Sequence, residues 1–223
     1  MKALKPINAG EEIFNDYGPL PRSDLLRRYG YITDNYAQYD VVEIPFSHIA
    51  YAASGGVPSY DEKIKYLDEH DLVESGYDIC ASDPFTIYES ISPELIMVIE
   101  TLILEADDFE RLKRKGKLPK PEHLTAKGAR IIHGLIQSRM SEYTIASNQD
   151  IQDASSILLT RQMSQKERRY TMAKIVRMGE IKILRQAEEA LITFFQEKER
   201  SGGVSKRQAE EESQSSGKKK RAN

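Results

Sequence analysis

The chain has no tryptophan, one cysteine and only four histidines among its 223 residues. A single cysteine, Cys80, excludes an intramolecular disulfide and is typical of a reducing compartment. Neither the histidines nor Cys80 show the spacing of metal ligands, so we expect no metal site. Because no basic cluster lies near Cys80 in the sequence, we expect its side chain to be a buried or half-buried apolar residue without catalytic function.

Long apolar runs and a strong charge of one sign are also missing. The longest apolar stretch, Leu95 to Leu104, is interrupted by Glu100 and Thr101, and it is much shorter than the roughly 20 residues that span a bilayer. The first residues lack the apolar core of a signal peptide. The formal net charge of −3 gives no general attraction to nucleic acid or to an anionic membrane. We therefore expect a soluble intracellular monomer with no membrane contact and no direct nucleic-acid contact.

Turn signals and short extended runs dominate the first part of the sequence. A short helix is predicted to begin at Arg22 or Ser23 and to end at Gly30, and Val41 to Ile44 is a strand candidate. Beyond residue 46 the apolar residues recur at helical spacing. Ser92-Pro-Glu is a helix start, and Ser164 with Glu167 forms a capping box that begins the longest helix, over about residues 165 to 198.

These patterns predict a mainly α fold with a small β/turn portion at the front. After Arg200 the sequence becomes rich in Ser, Gln, Glu and Lys without apolar periodicity, which predicts disorder because such a segment buries too little apolar surface to offset its ordering entropy. The predicted organisation is a β/turn segment over 1–46, a helical domain over 47–198 and a disordered, mixed-charge tail over 199–223.

Two motifs near the front of the chain carry the strongest functional signal. The first is Ala9-Gly-Glu-Glu-Ile-Phe-Asn-Asp-Tyr-Gly18, and the second is Leu25-Leu-Arg-Arg-Tyr-Gly-Tyr31. Together they resemble the last motif of SET-domain protein-lysine methyltransferases, closest to the branch of the Rubisco large-subunit and ribosomal lysine methyltransferases. In that branch a helical substrate-binding domain follows the SET domain directly. The order of segments down to the long terminal helix is similar as well.

The resemblance implies a role for each of three tyrosines. Tyr17 matches the catalytic tyrosine, whose hydroxyl aligns the target amine near the methyl group of S-adenosylmethionine. Tyr29 matches the aromatic residue that packs on the cofactor, and Tyr31 occupies a position that influences how many methyl groups fit. The implied partner is a ribosomal or nuclear protein, and the implied activity is transfer of a methyl group to one of its lysines.

Other features of that family are not found in this sequence. Its cofactor pocket also uses a Gly-rich segment and an Asn-His motif upstream of the Gly-Glu-Glu turn, and neither is present here. We therefore expect weak or absent methyl transfer by this chain alone. We also expect Ile13, Phe14 and Leu25 to be exposed, because the partner strands of the SET domain are missing.

Simpler interpretations stay open beside this one. Tyr17 taken alone is an ordinary turn aromatic, and the alternative function for the whole chain is a non-catalytic substrate-binding or interaction module. Glu11 or Glu12 is expected to form a structural pair rather than to act as an acid or base. The basic run from Lys218 to Arg221 resembles a nuclear localisation signal, so the expected location is the nucleus, the cytoplasm or both.

Overall fold

The structure is a computed structural model that describes residues 3, 5–13, 15, 17–55, 60–143 and 163–219, with the backbone alone from Ser201 onward. Helices dominate it, as the sequence predicts, and two short strands form its sheet. A 3₁₀ helix over Asp34–Tyr39 lies between the first helix and the first strand. The other elements are α1 (Arg22–Tyr29), β1 (Val41–Pro45), α2 (Phe46–Ala53), α3 (Tyr60–Asp68), β2 (Gly76–Cys80), α4 (Ile87–Ser90), α5 (Pro93–Leu102), α6 (Ala106–Arg114), α7 (Ala126–Ser141) and α8 (Gln165–Lys219).

Helix boundaries follow the local signals in the sequence. Gly30 ends α1 in the left-handed region at φ 76°, and its amide donates to the Leu26 carbonyl. The Ser92 side chain accepts a hydrogen bond from the Leu95 amide at the start of α5. The predicted capping box is also confirmed, because the Glu167 amide donates to Ser164 Oγ at 3.3 Å and the Ser164 amide donates to Glu167 Oε2 at 2.9 Å.

The sheet joins the two predicted parts of the chain. Strands β1 and β2 pair in antiparallel register, with Val42 opposite Ile79 and Ile44 opposite Tyr77. These four side chains are buried. Strand β1 precedes the predicted boundary at residue 46, and β2 follows it. The front segment and the helical domain therefore share one sheet and one core, and the position of the boundary stays a prediction.

Helix α5 lies at the centre of the core, where it packs against α2, α3, α7 and β2. Its apolar residues are buried on nearly all sides, as predicted. They are Leu95, Ile96, Val98, Ile99 and Leu102. Each fully buried aliphatic side chain of this size contributes about 1.5–3 kcal/mol to the free energy of folding. The surrounding elements therefore pack on the apolar side chains of this helix.

Two buried charged side chains form hydrogen bonds with groups at the ends of core helices. Lys63 Nζ donates to the carbonyls of Leu102 (3.0 Å) and Leu104 at the end of α5, and burial lowers the pKa of this lysine. Glu100 accepts hydrogen bonds from the amide and hydroxyl of Thr125, at 2.8 and 2.9 Å, where α7 begins. A buried charge is tolerated only where hydrogen-bond partners of this kind compensate for its lost hydration.

Helix α8 runs further than predicted. Its apolar stripes are buried as expected, with Ile183, Leu184, Ala187 and Leu191 almost fully covered. The predicted end near residue 198 is wrong, because the backbone is helical to Lys219. Lys, Arg, Gln, Ala and Glu in this segment favour a helix, whereas its glycines and serines do not, and the disorder predicted from residue 199 stays a prediction. Phe14 and the predicted polar loop of 144–153 lie outside the described residues.

Glycines of α7 provide a test of the core around Glu100. A Cβ at Gly128 would overlap Glu100 Oε1 and lie 3.1 Å from Glu100 Cδ, whereas a Cβ at Gly134 meets no atom within 4 Å. We predict that Gly128→Ala lowers the free energy of unfolding by about 1–3 kcal/mol, through overpacking and a displaced carboxylate. The matched change Gly134→Ala on the same helix should raise it by about 0.5–1 kcal/mol. Urea unfolding measures both, and equal effects would contradict the packing described here.

Candidate functional site

The three tyrosines singled out in the sequence lie together at the end of α1. The rings of Tyr17 and Tyr29 stack, with their centroids 4.0 Å apart and an interplanar angle of 24°. Tyr31 lies close to both. Partial burial raises the pKa of Tyr31, and its two neighbouring phenols raise it further. We call these residues the tyrosine cluster; the role of each stays a prediction.

The tyrosine cluster is open to solvent on one side. Tyr17, Tyr29 and Tyr31 have 36%, 42% and 36% of their surface exposed. Partly exposed tyrosine rings present apolar surface together with their hydroxyl groups. Such a surface can serve as one wall of a pocket, with the opposite wall supplied by other residues.

Glycines and a short turn direct the chain into this arrangement. Gly18 follows Tyr17 with φ 75°, and Gly30 separates Tyr29 from Tyr31 with φ 76°, a backbone region that glycine adopts readily. Earlier in the chain, Asn8 donates from its amide and its side chain to the Glu11 carboxylate. These bonds lower the pKa of Glu11. The expectation that one of the two neighbouring glutamates is structural is confirmed.

Helix α1 is anchored on α8, which corrects one prediction. Leu25 is expected from the sequence to be exposed, but it is completely buried, and α1 packs against α8. The prediction assumed that only missing SET-domain strands could cover this face, whereas the long helix covers it. Ile13 is 77% exposed, as expected.

The anchor also contains a buried ion pair. The Arg22 guanidinium donates to Asp40 Oδ2 from Nε (2.8 Å) and Nη2 (2.6 Å), and the Arg22 amide donates to Asp40 Oδ1 at 2.9 Å. Arg22 and Asp40 are only 7% and 4% exposed. Gly179 of α8 lies directly against them, because a Cβ there would be 2.5 Å from Nη2 and 2.6 Å from Oδ2. We call this three-residue contact the junction.

Further contacts hold the elements around the junction. The Asp40 carbonyl accepts a hydrogen bond of 2.8 Å from the Ala81 amide at the end of β2. Beside it lies a cleft of about 520 Å³, bordered by the 3₁₀ helix, the segment after β2 and α8. The polar residues that line this cleft, apart from the ion pair, are Gln38, Ser82, Asp83, Lys182 and Gln186.

Glu180, the residue after Gly179, links α8 to α7. Its Oε2 accepts a hydrogen bond of 2.8 Å from the Tyr143 hydroxyl. Burial raises the pKa of both groups. The guanidinium groups of Arg139 and Arg177 each lie 5.5 Å from the centre of the Tyr143 ring, in the range of cation–π attraction. The position of α8 is therefore fixed against α1 and against α7 over two consecutive residues.

Sequence reasoning missed the junction. Arg22 was recognised only as a helix start, and Asp40 gave no local signal. Gly179 did carry one, because a glycine inside a buried helical stripe costs about 1 kcal/mol relative to alanine and so indicates a close approach of another group. The sequence could not say which group approaches, because the partners are more than a hundred residues away.

The described part of the chain has neither a metal-binding cluster nor a membrane-spanning helix. Within those residues no group of three or more His, Cys, Asp or Glu side chains could hold a metal ion. The helices that the structure describes include none with both the length and the apolar character needed to cross a membrane.

Comparison with known proteins places the helical part of the chain in a family. A family model described as the Rubisco LSMT substrate-binding domain matches residues 56–184. Ribosomal lysine N-methyltransferase 4 of Saccharomyces cerevisiae is 25% identical over 217 residues, which cover 86% of this chain and 43% of the yeast protein. The chain thus spans less than half of that relative. The match over α3 to the middle of α8 shows that this chain belongs to the Rubisco LSMT substrate-binding domain family.

Proposed function

We propose that this chain is the C-terminal part of a protein-lysine N-methyltransferase that uses S-adenosylmethionine. In this proposal residues 1–46 are the end of a SET domain, and the helical domain binds a ribosomal or nuclear protein in the nucleus, the cytoplasm or both. The observation that carries it is the tyrosine cluster, assembled by the chain on an element that packs directly against a helix of the substrate-binding family. The lysine methyltransferase activity in the yeast relative's name supports the same assignment.

The tyrosine cluster fits the chemistry of S-adenosylmethionine as one wall of its pocket. The cofactor supplies a methyl group attached to a positively charged sulfur. The faces of tyrosine rings attract cations, and the attraction grows when water is excluded. Tyr29 would pack on the cofactor, and its ring is already held in place by the stack with Tyr17. Because one side of the cluster is exposed, the opposite wall must come from outside these three residues.

The lysine amine must be neutral before it can accept a methyl group. Its ordinary pKa is about 10.4, so at neutral pH it carries a proton. An aromatic channel disfavours the charged form, because it replaces water with an apolar surface. The Tyr17 hydroxyl can then hold the neutral amine by a hydrogen bond and align nitrogen with the methyl group. Tyr31, beside both rings, would limit the space for methyl groups already on the amine.

The role of Tyr17 can be tested by removing one oxygen atom. We predict that Tyr17→Phe lowers methyl transfer about 100-fold, because loss of the aligning hydroxyl misplaces the amine on the reaction axis. The assay measures tritium transfer from S-adenosylmethionine to an extract of ribosomal proteins. It uses a polypeptide that contains this chain together with the upstream SET region that the resemblance implies.

A matched control uses another exposed tyrosine. Tyr51 of α2 is 86% exposed and lies outside the tyrosine cluster, so Tyr51→Phe should leave the rate unchanged. If Tyr17→Phe retains full activity, the catalytic role of Tyr17 is wrong. If both changes reduce the rate equally, the effect is not specific to the tyrosine cluster.

A non-catalytic interaction module is the second candidate. It is favoured by the family match, which names a substrate-binding domain and covers 56–184 rather than the tyrosine cluster. In this case the helices alone would bind the partner protein.

Calorimetry on this chain alone is a test that can exclude the second candidate. Since the tyrosine cluster is a single exposed wall, we predict no measurable heat with S-adenosylmethionine at 1:1 stoichiometry, but binding of a protein from the ribosomal fraction. Measurable affinity for the cofactor would show that the chain holds a pocket of its own and would exclude a purely non-catalytic module. A chain that binds neither ligand would contradict both candidates.

A further inference from the structure

We propose that Gly179 is a positioning residue for the methyl transfer proposed above. It has no side chain, so Arg22 and Asp40 can lie against α8, and this contact fixes the orientation of α1 and of the tyrosine cluster at its end. The inference rests on the proposed function for its consequence in catalysis. The geometric coupling itself rests on the structure alone.

The contact at Gly179 leaves no room for even one methyl group. Real Cβ atoms almost never approach another heavy atom within 3.0 Å, and a Cβ here would lie 2.5 Å from Arg22 Nη2 and 2.6 Å from Asp40 Oδ2. Both atoms lie at the ends of side chains, but hydrogen bonds between the two side chains restrict their movement. Both belong to the buried ion pair, which is held by three hydrogen bonds of 2.6–2.9 Å. A methyl group at this position must therefore displace the whole pair or α8.

A displaced ion pair moves α1 as a unit. Arg22 is the first residue of α1, and its own backbone amide is bound to Asp40 Oδ1. Tyr29 is the last residue of the same helix, about 10 Å further along its axis at 1.5 Å per residue. Because the backbone hydrogen bonds make a helix of this length rigid, a shift at Arg22 is carried to Tyr29. Tyr17 follows, since its ring is stacked on Tyr29.

The other side of the contact belongs to the substrate-binding domain. Gly179 lies within the family match over 56–184. The next residue, Glu180, is bound to Tyr143 just after α7. The contact at Gly179 therefore connects two groups of residues. One is the set of helices that would bind the protein substrate, and the other is the set of tyrosines that would receive its lysine. The junction sets the distance and angle between the helical domain, which would bind the substrate, and the tyrosine cluster, which would align its lysine.

The coupling can be observed in this chain without any enzymatic assay. The twelve tyrosines are labelled with 3-fluorotyrosine, and the chains Tyr17→Phe and Tyr29→Phe assign two of the fluorine NMR signals. We predict that Gly179→Ala shifts the signals of Tyr17 and Tyr29, because ring stacking strongly affects a neighbouring fluorine. Gly134→Ala makes the same change in α7, where a Cβ meets nothing within 4 Å, and it should shift neither signal.

A folded Gly179→Ala chain whose two signals stay unchanged would overturn the proposal. The same holds if Gly134→Ala shifts them equally. Should Gly179→Ala fail to fold by circular dichroism, Arg22→Lys is the second variant. Lysine keeps the positive charge but lacks the forked guanidinium, so this variant should shift the same two fluorine signals. Unchanged signals would again contradict the coupling.

Methyl transfer by the longer polypeptide, which includes the SET region, tests the catalytic consequence. We expect Gly179→Ala to lower kcat about tenfold with little change in KM for the protein substrate, which the helical domain would bind, and Gly134→Ala to leave both unchanged. If Tyr17→Phe is fully active while Gly179→Ala still shifts the fluorine signals, the proposed function fails and the coupling stands. If Tyr17→Phe inactivates the enzyme while Gly179→Ala alters neither kcat nor the signals, the positioning role fails and the proposed function stands.

Discussion

The ion pair between Arg22 and Asp40 is the interaction on which the arrangement of this chain depends. Burying two charges is unfavourable, and their attraction compensates only where the geometry is good and the remaining polar groups are hydrogen-bonded. Here the carboxylate receives two bonds from the guanidinium and one from the backbone, and its own backbone carbonyl accepts a bond from Ala81. The glycine at position 179 allows α8 to lie directly against the pair.

The ion pair lies within the front segment, and its contact with Gly179 of α8 joins two parts of the chain that the resemblance assigns to different domains. The sheet formed by β1 and β2 provides a second connection, since its strands lie on either side of the predicted boundary. A tyrosine cluster on a loosely attached segment would not keep a constant distance from the helices that bind the protein substrate. Alignment of the reacting groups accounts for a large part of the rate of a displacement reaction. Rigid attachment of α1 is therefore a functional requirement of the proposed mechanism.

Local signals in the sequence predicted the helices well and the buried charges poorly. Ser92, Thr125 and Ser164 mark helix starts because a cap and its partner amide are three residues apart, and that information is contained in a few residues. Lys63 carries no local signal of burial, since its carbonyl partners lie about forty residues later. The three tyrosines were found from a motif, but their stacking depends on how α1 packs, and Leu25 was misplaced for the same reason.

The most direct test of the account is a double-mutant cycle between Arg22 and Asp40, measured by urea unfolding of this chain. If the pair is the buried anchor described above, Arg22→Ala leaves the Asp40 carboxylate uncompensated, and Asp40→Ala leaves Arg22 with a single 3.5 Å contact to the exposed Asp34. Each single change should then lower the free energy of unfolding by about 3–5 kcal/mol, and the double variant should lose much less than the sum. We predict a coupling energy of about 2 kcal/mol or more. Additive effects, with a coupling energy near zero, would show that the two residues do not depend on each other and would contradict the central claim.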